Sequence, residues 1–138
     1  MNFKLLQSFI FSLLLLGAGN AATGQVTVEP GVQYVAETYF AALSAGDRQT
    51  LLSLLAEDEL MRSEDQLRDP AYSDFLTNRY SSARLEIVGS DTQGELHSID
   101  IIIWMNDVES IKERLMLRAI ETPEGTSYRI VSREEFGI

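Results

Sequence analysis

The chain has no cysteine, one histidine and one tryptophan among its 138 residues. Without cysteine there is no disulfide scaffold, thiolate zinc site, iron–sulfur cluster or cysteine nucleophile. With His97 alone, no multi-histidine metal site forms within one chain, and a serine–histidine–aspartate triad would have a single imidazole to draw on. No glycine-rich loop is present to cradle a phosphate. The expectation is no metal and no cofactor. Basic residues are also scarce, 11 against 21 acidic ones, for a formal net charge of −10. Nucleic acid needs clustered Lys and Arg on its phosphates, so it is excluded as a partner. The acids are spread along the chain and read as a solvated surface.

Long hydrophobic runs are missing too, apart from one at the start. Lys4 precedes an apolar run from Leu5 to Leu16, and small residues follow from Gly17 to Ala22. Charge, apolar stretch and small residues in that order predict a secretory signal peptide over residues 1–21, cleaved after Ala21. The run is shorter than the ~20 residues that span a bilayer, so no stable membrane span is expected after cleavage. No cysteine follows to be acylated. The expected location is exported, either periplasmic or secreted. Losing Lys4 makes the processed chain one charge more acidic.

Residues 22–31 read as a short tail ending at Pro30-Gly31, and residues 32–138 as a single domain. Val32, Val35, Ala36, Tyr39, Phe40 and Leu43 share one helical face. Gly46 suits a left-handed stop and Asp47 a cap for the next helix, which carries Leu51, Leu52, Leu54 and Leu55 and fades at Ala56. Residues 57–68 show no clear period and predict a loop with a short strand at Leu60-Met61. Glu57, Asp58, Glu59, Glu64 and Asp65 lack the glycine-containing spacing of a calcium loop and read as solvated. Asp69-Pro70 predicts the start of a third helix, with Tyr72, Phe75, Leu76 and Tyr80 on its apolar side.

The remainder reads as strands: 83–89, a turn over Ser90–Gly94, Leu96–Met105, Glu109–Ile120, a turn over Thr122–Gly125, and Thr126–Arg133. Helices followed by an antiparallel meander give an α+β fold with helices on one sheet face. The middle hairpin allows two registers. A two-residue loop would set Asp100 against Glu113 and mix faces. A three-residue loop, Asn106 to Val108, pairs Ile103 with Ile111, Ile99 with Leu115, His97 with Leu117 and Asp100 with Arg114. The buried face decides register, which predicts the second. Ile102, Trp104, Met116 and Ile120 then make the other face partly apolar. That predicts a covering sheet, most simply in a homodimer.

The stretch "TYFAALSAGDRQTLLSLLAED", residues 38–58, set before a helix and a curved sheet, resembles the NTF2-like superfamily, which includes SnoaL-like cyclases and ketosteroid isomerases. The resemblance covers about residues 32–136. It implies a cone of helices on a curved antiparallel sheet, a pocket open at one end, and frequent dimerisation through the outer sheet face. The implied pocket would be lined by Tyr39, Phe40, Leu55, Phe75, His97, Ile99, Ile101 and Leu115. The isomerase oxyanion tyrosine falls on Tyr39. Its general-base aspartate falls near Ser63 and its protonated aspartate near Leu115, so both carboxylates are replaced. Glu64 or Asp65 would serve as base only with a shifted loop. Tyr39, His97 and Glu113 remain the candidate catalytic groups, since His97 and Glu113 share the inner face. Three functions follow as expectations. The first is an exported non-catalytic domain binding a small apolar ligand or a protein partner as a homodimer. The others are an acid–base enzyme acting on a carbonyl compound and a cell-envelope assembly component.

Overall fold

A computed structural model describes residues 27–136. The leader, its cleavage site and residues 22–26 of the tail lie outside the described residues. The first helix, α1, spans Pro30–Ala45. Pro30 enters it with a preset φ, and the Glu29 carboxylate accepts the Gly31 N–H at 2.7 Å. Val32, Val35, Ala36, Tyr39, Ala42 and Leu43 form its buried stripe. Gly46 ends it at φ 67 in the left-handed region. Asp47 then accepts the Thr50 N–H at 3.1 Å and starts α2, Arg48–Leu54.

Leu55 turns extended and bridges Ile130 in parallel, and the Ala56 N–H donates to the Ile130 carbonyl at 3.0 Å. Residues 57–68 are not a loop, and Leu60-Met61 is not a strand. Glu57–Leu67 form a helix, α3. Its first turn carries Glu57, Asp58 and Glu59, which suit the positive end of a helix. The inward face is Glu59, Ser63 and Leu67 at four-residue spacing, flanked by Leu60. A carboxylate stands where an apolar residue would have announced the period. The last helix, α4, spans Tyr72–Tyr80, later than the Asp69-Pro70 start expected. Asp69 instead holds a turn, accepting the Ala71 N–H on its side chain and the Tyr72 N–H on its carbonyl, each at 3.0 Å.

Four antiparallel strands follow in sequential order: β1 Arg84–Gln93, β2 Leu96–Trp104, β3 Ser110–Thr122 and β4 Gly125–Glu135. The expected turn over Ser90–Gly94 shrinks to Gly94 and its neighbour. Val88 bulges out of β1, and Ser90 to Gln93 then pair with Ile99 to Leu96. Pairing along β2 overrides local turn chemistry. The β2–β3 hairpin takes the three-residue loop and the expected register throughout, with Ile99 opposite Leu115 and Asp100 opposite Arg114. The Asn106 side chain closes the loop by accepting the Val108 and Glu109 N–H groups, each at 2.9 Å.

The helices cover one sheet face. Ile99, Ile101, Ile103, Leu115, Leu117 and Ile130 meet the α1 stripe there, fully buried. Each contributes about 1.5–3 kcal/mol by leaving water. The result, among the described residues, is an α+β fold in which four helices close one face of a curved four-stranded sheet into a cone. Gly46 is a tight joint between α1 and α4. A Cβ there would sit 2.7 Å from the Ser73 carbonyl oxygen and 2.9 Å from the Thr77 methyl. Gly46→Val therefore carries left-handed strain and a clash with α4. The expected cost is about 2 kcal/mol or more in urea denaturation, without loss of the β2–β3 register.

Candidate functional site

Tyr39 lies mid-α1 and points at the sheet, 2% exposed. Its hydroxyl donates to Glu113 Oε1 at 2.9 Å and accepts from Arg133 Nη1 at 2.8 Å. Arg133 comes from β4. Its Nε donates to Glu59 Oε2 at 2.7 Å, and its Nη1 stands 3.7 Å from Glu113 Oε2. Glu59, on α3, is wholly buried and takes further bonds from Arg62 and from Ser63 Oγ. The cluster thus ties α1, α3, β3 and β4 together inside the cone.

The electrostatics follow from that wiring. Burial opposes the Arg133 charge, but Tyr39, Glu113 and Glu59 hold the guanidinium firmly protonated. Burial likewise works against the Glu59 carboxylate. Arg133, Arg62 and Ser63 outweigh it and keep the pKa below the ordinary 4.5. Burial, and then the Glu113 charge, push the Tyr39 phenol well above 10.0. The arrangement is a neutral phenol between an arginine and carboxylates, with its O–H already engaged in the hydrogen bond to Glu113.

A cavity of 40 Å³ adjoins the cluster, lined by Leu43, Leu51, Leu55, Ser63, Gln66, Leu67, Tyr72 and Leu76 besides Tyr39 and Arg133. Of the residues expected to line a pocket, Tyr39 and Leu55 do so. Ile99, Ile101 and Leu115 are core without contact with this space. Phe40 packs on the core from its edge. Phe75 is 51% exposed and stacks on Tyr72 outside, ring centroids 5.2 Å apart. Of the candidate catalytic groups, the fold brings Tyr39 and Glu113 together but not His97. His97 sits half-exposed at the far end of β2, its Nδ1 3.1 Å from Thr92 Oγ1 and its ring edge-on to Tyr128. Ser63, near which the resemblance would set a general base, spends its hydroxyl on Glu59. Glu64 pairs with Arg68 on the exposed side of α3. Nor is the acidic run all solvated, since Glu59 is buried and Glu57 binds Arg118 at 2.7 Å.

Arg133 and Glu59 were missed from sequence for definite reasons. The Val131 bulge in β4 sets Arg133 opposite Leu115, on the inner face. Simple alternation from buried Ile130 would put Arg133 outside. Glu59 would have emerged only from the Glu59–Ser63–Leu67 spacing.

The outer sheet face carries Ile102, Trp104, Met116 and Ile120, all half-exposed. Trp104 Nε1 donates to Glu86 at 2.8 Å, and Arg84 lies over its ring at 5.3 Å. Arg114 grips Asp100 through two bonds of 2.7 and 3.0 Å. A shallow groove of 520 Å³ runs over Leu96, Asp100, Arg114, Met116 and Glu134.

Two outcomes follow for the inner cluster. Arg133→Met leaves Glu59 buried without its main counter-charge, and should cost about 3–5 kcal/mol in equilibrium denaturation. Because Glu59 has a lowered pKa when folded, its stabilisation is present above 4.5 and lost as pH falls through the folded value. An acid titration followed by circular dichroism should show stability falling below about pH 4.5, with a smaller fall in Glu59→Gln.

No family model matches the chain, and no curated protein matches it. Solved structures do. An NTF-2 like protein of unknown function from Silicibacter pomeroyi DSS-3 aligns at 18% identity and TM-score 0.47, over 78% of this chain and 94% of that one. A SEC-C motif containing protein from Rhodopseudomonas palustris aligns at 15% and 0.49, over 75% and 77%. An NTF2-like family protein from Streptomyces avermitilis aligns at 13% and 0.46, over 79% and 96%. The likeness to these proteins is one of fold alone.

Proposed function

We propose that this chain is an exported, non-catalytic NTF2-like domain that works by binding, as a homodimer joined through its outer sheet face. The observation that carries the reading is the composition of that face. In a chain of net charge −10, it offers Glu86, Asp91, Asp100 and Glu134 against Arg84, Lys112, Arg114, Arg118 and Arg129. It is thus close to balanced in charge, with Ile102, Trp104, Met116 and Ile120 between. Two copies of an acidic chain repel elsewhere, so a near-neutral, partly apolar face is where they meet at least cost. The apolar leader over residues 1–21 supports export.

Support for a non-catalytic role comes from the cone. An isomerase-type reaction needs a free base and free donors at the developing enolate. Here the Tyr39 hydroxyl already donates its hydrogen bond to Glu113, and Arg133 is held by Glu59. The same face would suit a protein partner of equal polarity, with the homodimer as the simplest case.

Trp104→Asp tests the reading. The wild type is expected to sediment as a dimer at micromolar concentration. The variant is expected to weaken association roughly a hundredfold, as charge placed on a central aromatic anchor does. A wild-type monomer, or a variant as dimeric as the wild type, would remove the proposal.

A further inference from the structure

α3 covers the cavity with little apolar grip. Its buried side chains are Glu59 and Leu67, whereas α1 buries six residues. No side chain caps its start at Ala56, and Glu57 has a left-handed φ of 54. What fastens it is polar: Glu59 to Arg133, Glu57 to Arg118, and the Leu67 carbonyl accepting from Arg48 Nη1 at 3.0 Å. The pairing also survives separation. Arg62 sits on the same helix as Glu59 and would leave with it, and Arg133 would keep Glu113 and Tyr39. Parting these elements strands no lone charge, which is the usual obstacle to opening a buried ion pair.

We propose that α3 is a strap that lifts from Arg133 and admits, between α1, α2 and α4, an apolar molecule carrying one hydrogen-bond-accepting oxygen. The 40 Å³ present with the strap down holds about one water. Small-molecule pockets run to about 300 Å³ and more, so an occupant requires α3 to move. The walls then offered are Leu43, Leu51, Leu55 and Leu76, which set the apolar character. Donors come from Arg133, whose Nη2 is outside the bonds above, and from the Gln66 amide. Glu59 and Glu113 flank Arg133 already, so a neutral oxygen is taken and a further anion repelled. The inference concerns the inner face, and it stands or falls separately from the dimer.

Hydrogen–deuterium exchange on the full chain tests it, with Nile red as a neutral apolar probe bearing a carbonyl. Amides of 57–67 should exchange well ahead of 99–103 and 115–117. Glu59→Gln should speed them roughly tenfold further while the sheet is unchanged. Glu57→Ala frees that end of the helix from Arg118 at an exposed site and gives the same comparison should Glu59→Gln fold poorly. Nile red should bind saturably, one per chain, faster in either variant, and slow exchange over 43–55. If 57–67 exchanged at the sheet's rate in wild type and Glu57→Ala alike, α3 would open only by global unfolding and the strap would be refuted. Dye that failed to saturate, or that protected only β2 and β3, would refute the ligand.

Discussion

The interior depends on one constraint: a guanidinium placed inside a cone must be paired from several sides. Arg133 could not sit opposite Leu115 without Glu59 and Glu113 within reach. Burying each ion unpaired would cost several kcal/mol, while a bonded pair recovers most of that. The pairing therefore dictates where α3 lies, because Glu59 has to arrive from a helix packed against β4. It also fixes Tyr39, whose hydroxyl bridges Arg133 and Glu113. Four elements share one polar joint, so a change at any member moves the rest.

The same joint explains what the sheet could and could not disclose in advance. The β2–β3 register was legible because only one pairing buries Ile99, Ile101, Ile103 and Leu115 together. A one-residue slip would have set the three isoleucines and Leu115 on opposite faces. The helix stop at Gly46 and the cap at Asp47 were legible for equally local reasons. Both bulges were not. Val88 and Val131 are ordinary strand residues, and nothing in their identity signals an extra residue against the neighbouring strand. Yet Val131 alone carries Arg133 inward.

α3 illustrates the other failure. A helix whose inner face is a glutamate, a serine and a leucine has no hydrophobic period to find. Its acids looked like a solvated run, and the partner that makes sense of Glu59 is 74 residues away. Tyr39 was legible as a residue and not as a role. Its position matched the isomerase tyrosine, but what it bonds to is set by β3 and β4. His97 failed in the opposite sense: its face was right, but Glu113 lies further along the strand, so shared parity did not mean contact.

The two sheet faces have resolved the same problem differently. The inner face spends its polar groups on one another, and its cavity is correspondingly small. The outer face pairs Asp100 with Arg114 and Trp104 with Glu86 in the open, leaving isoleucine, methionine and indole between them. Surface pairs of that kind add little stability, about 0–1 kcal/mol each. Their consequence is for approach. They cancel the field of an acidic chain over one patch and hold the apolar groups in fixed places. A partner reaching the inner face must move a helix, whereas one reaching the outer face meets a surface already arranged.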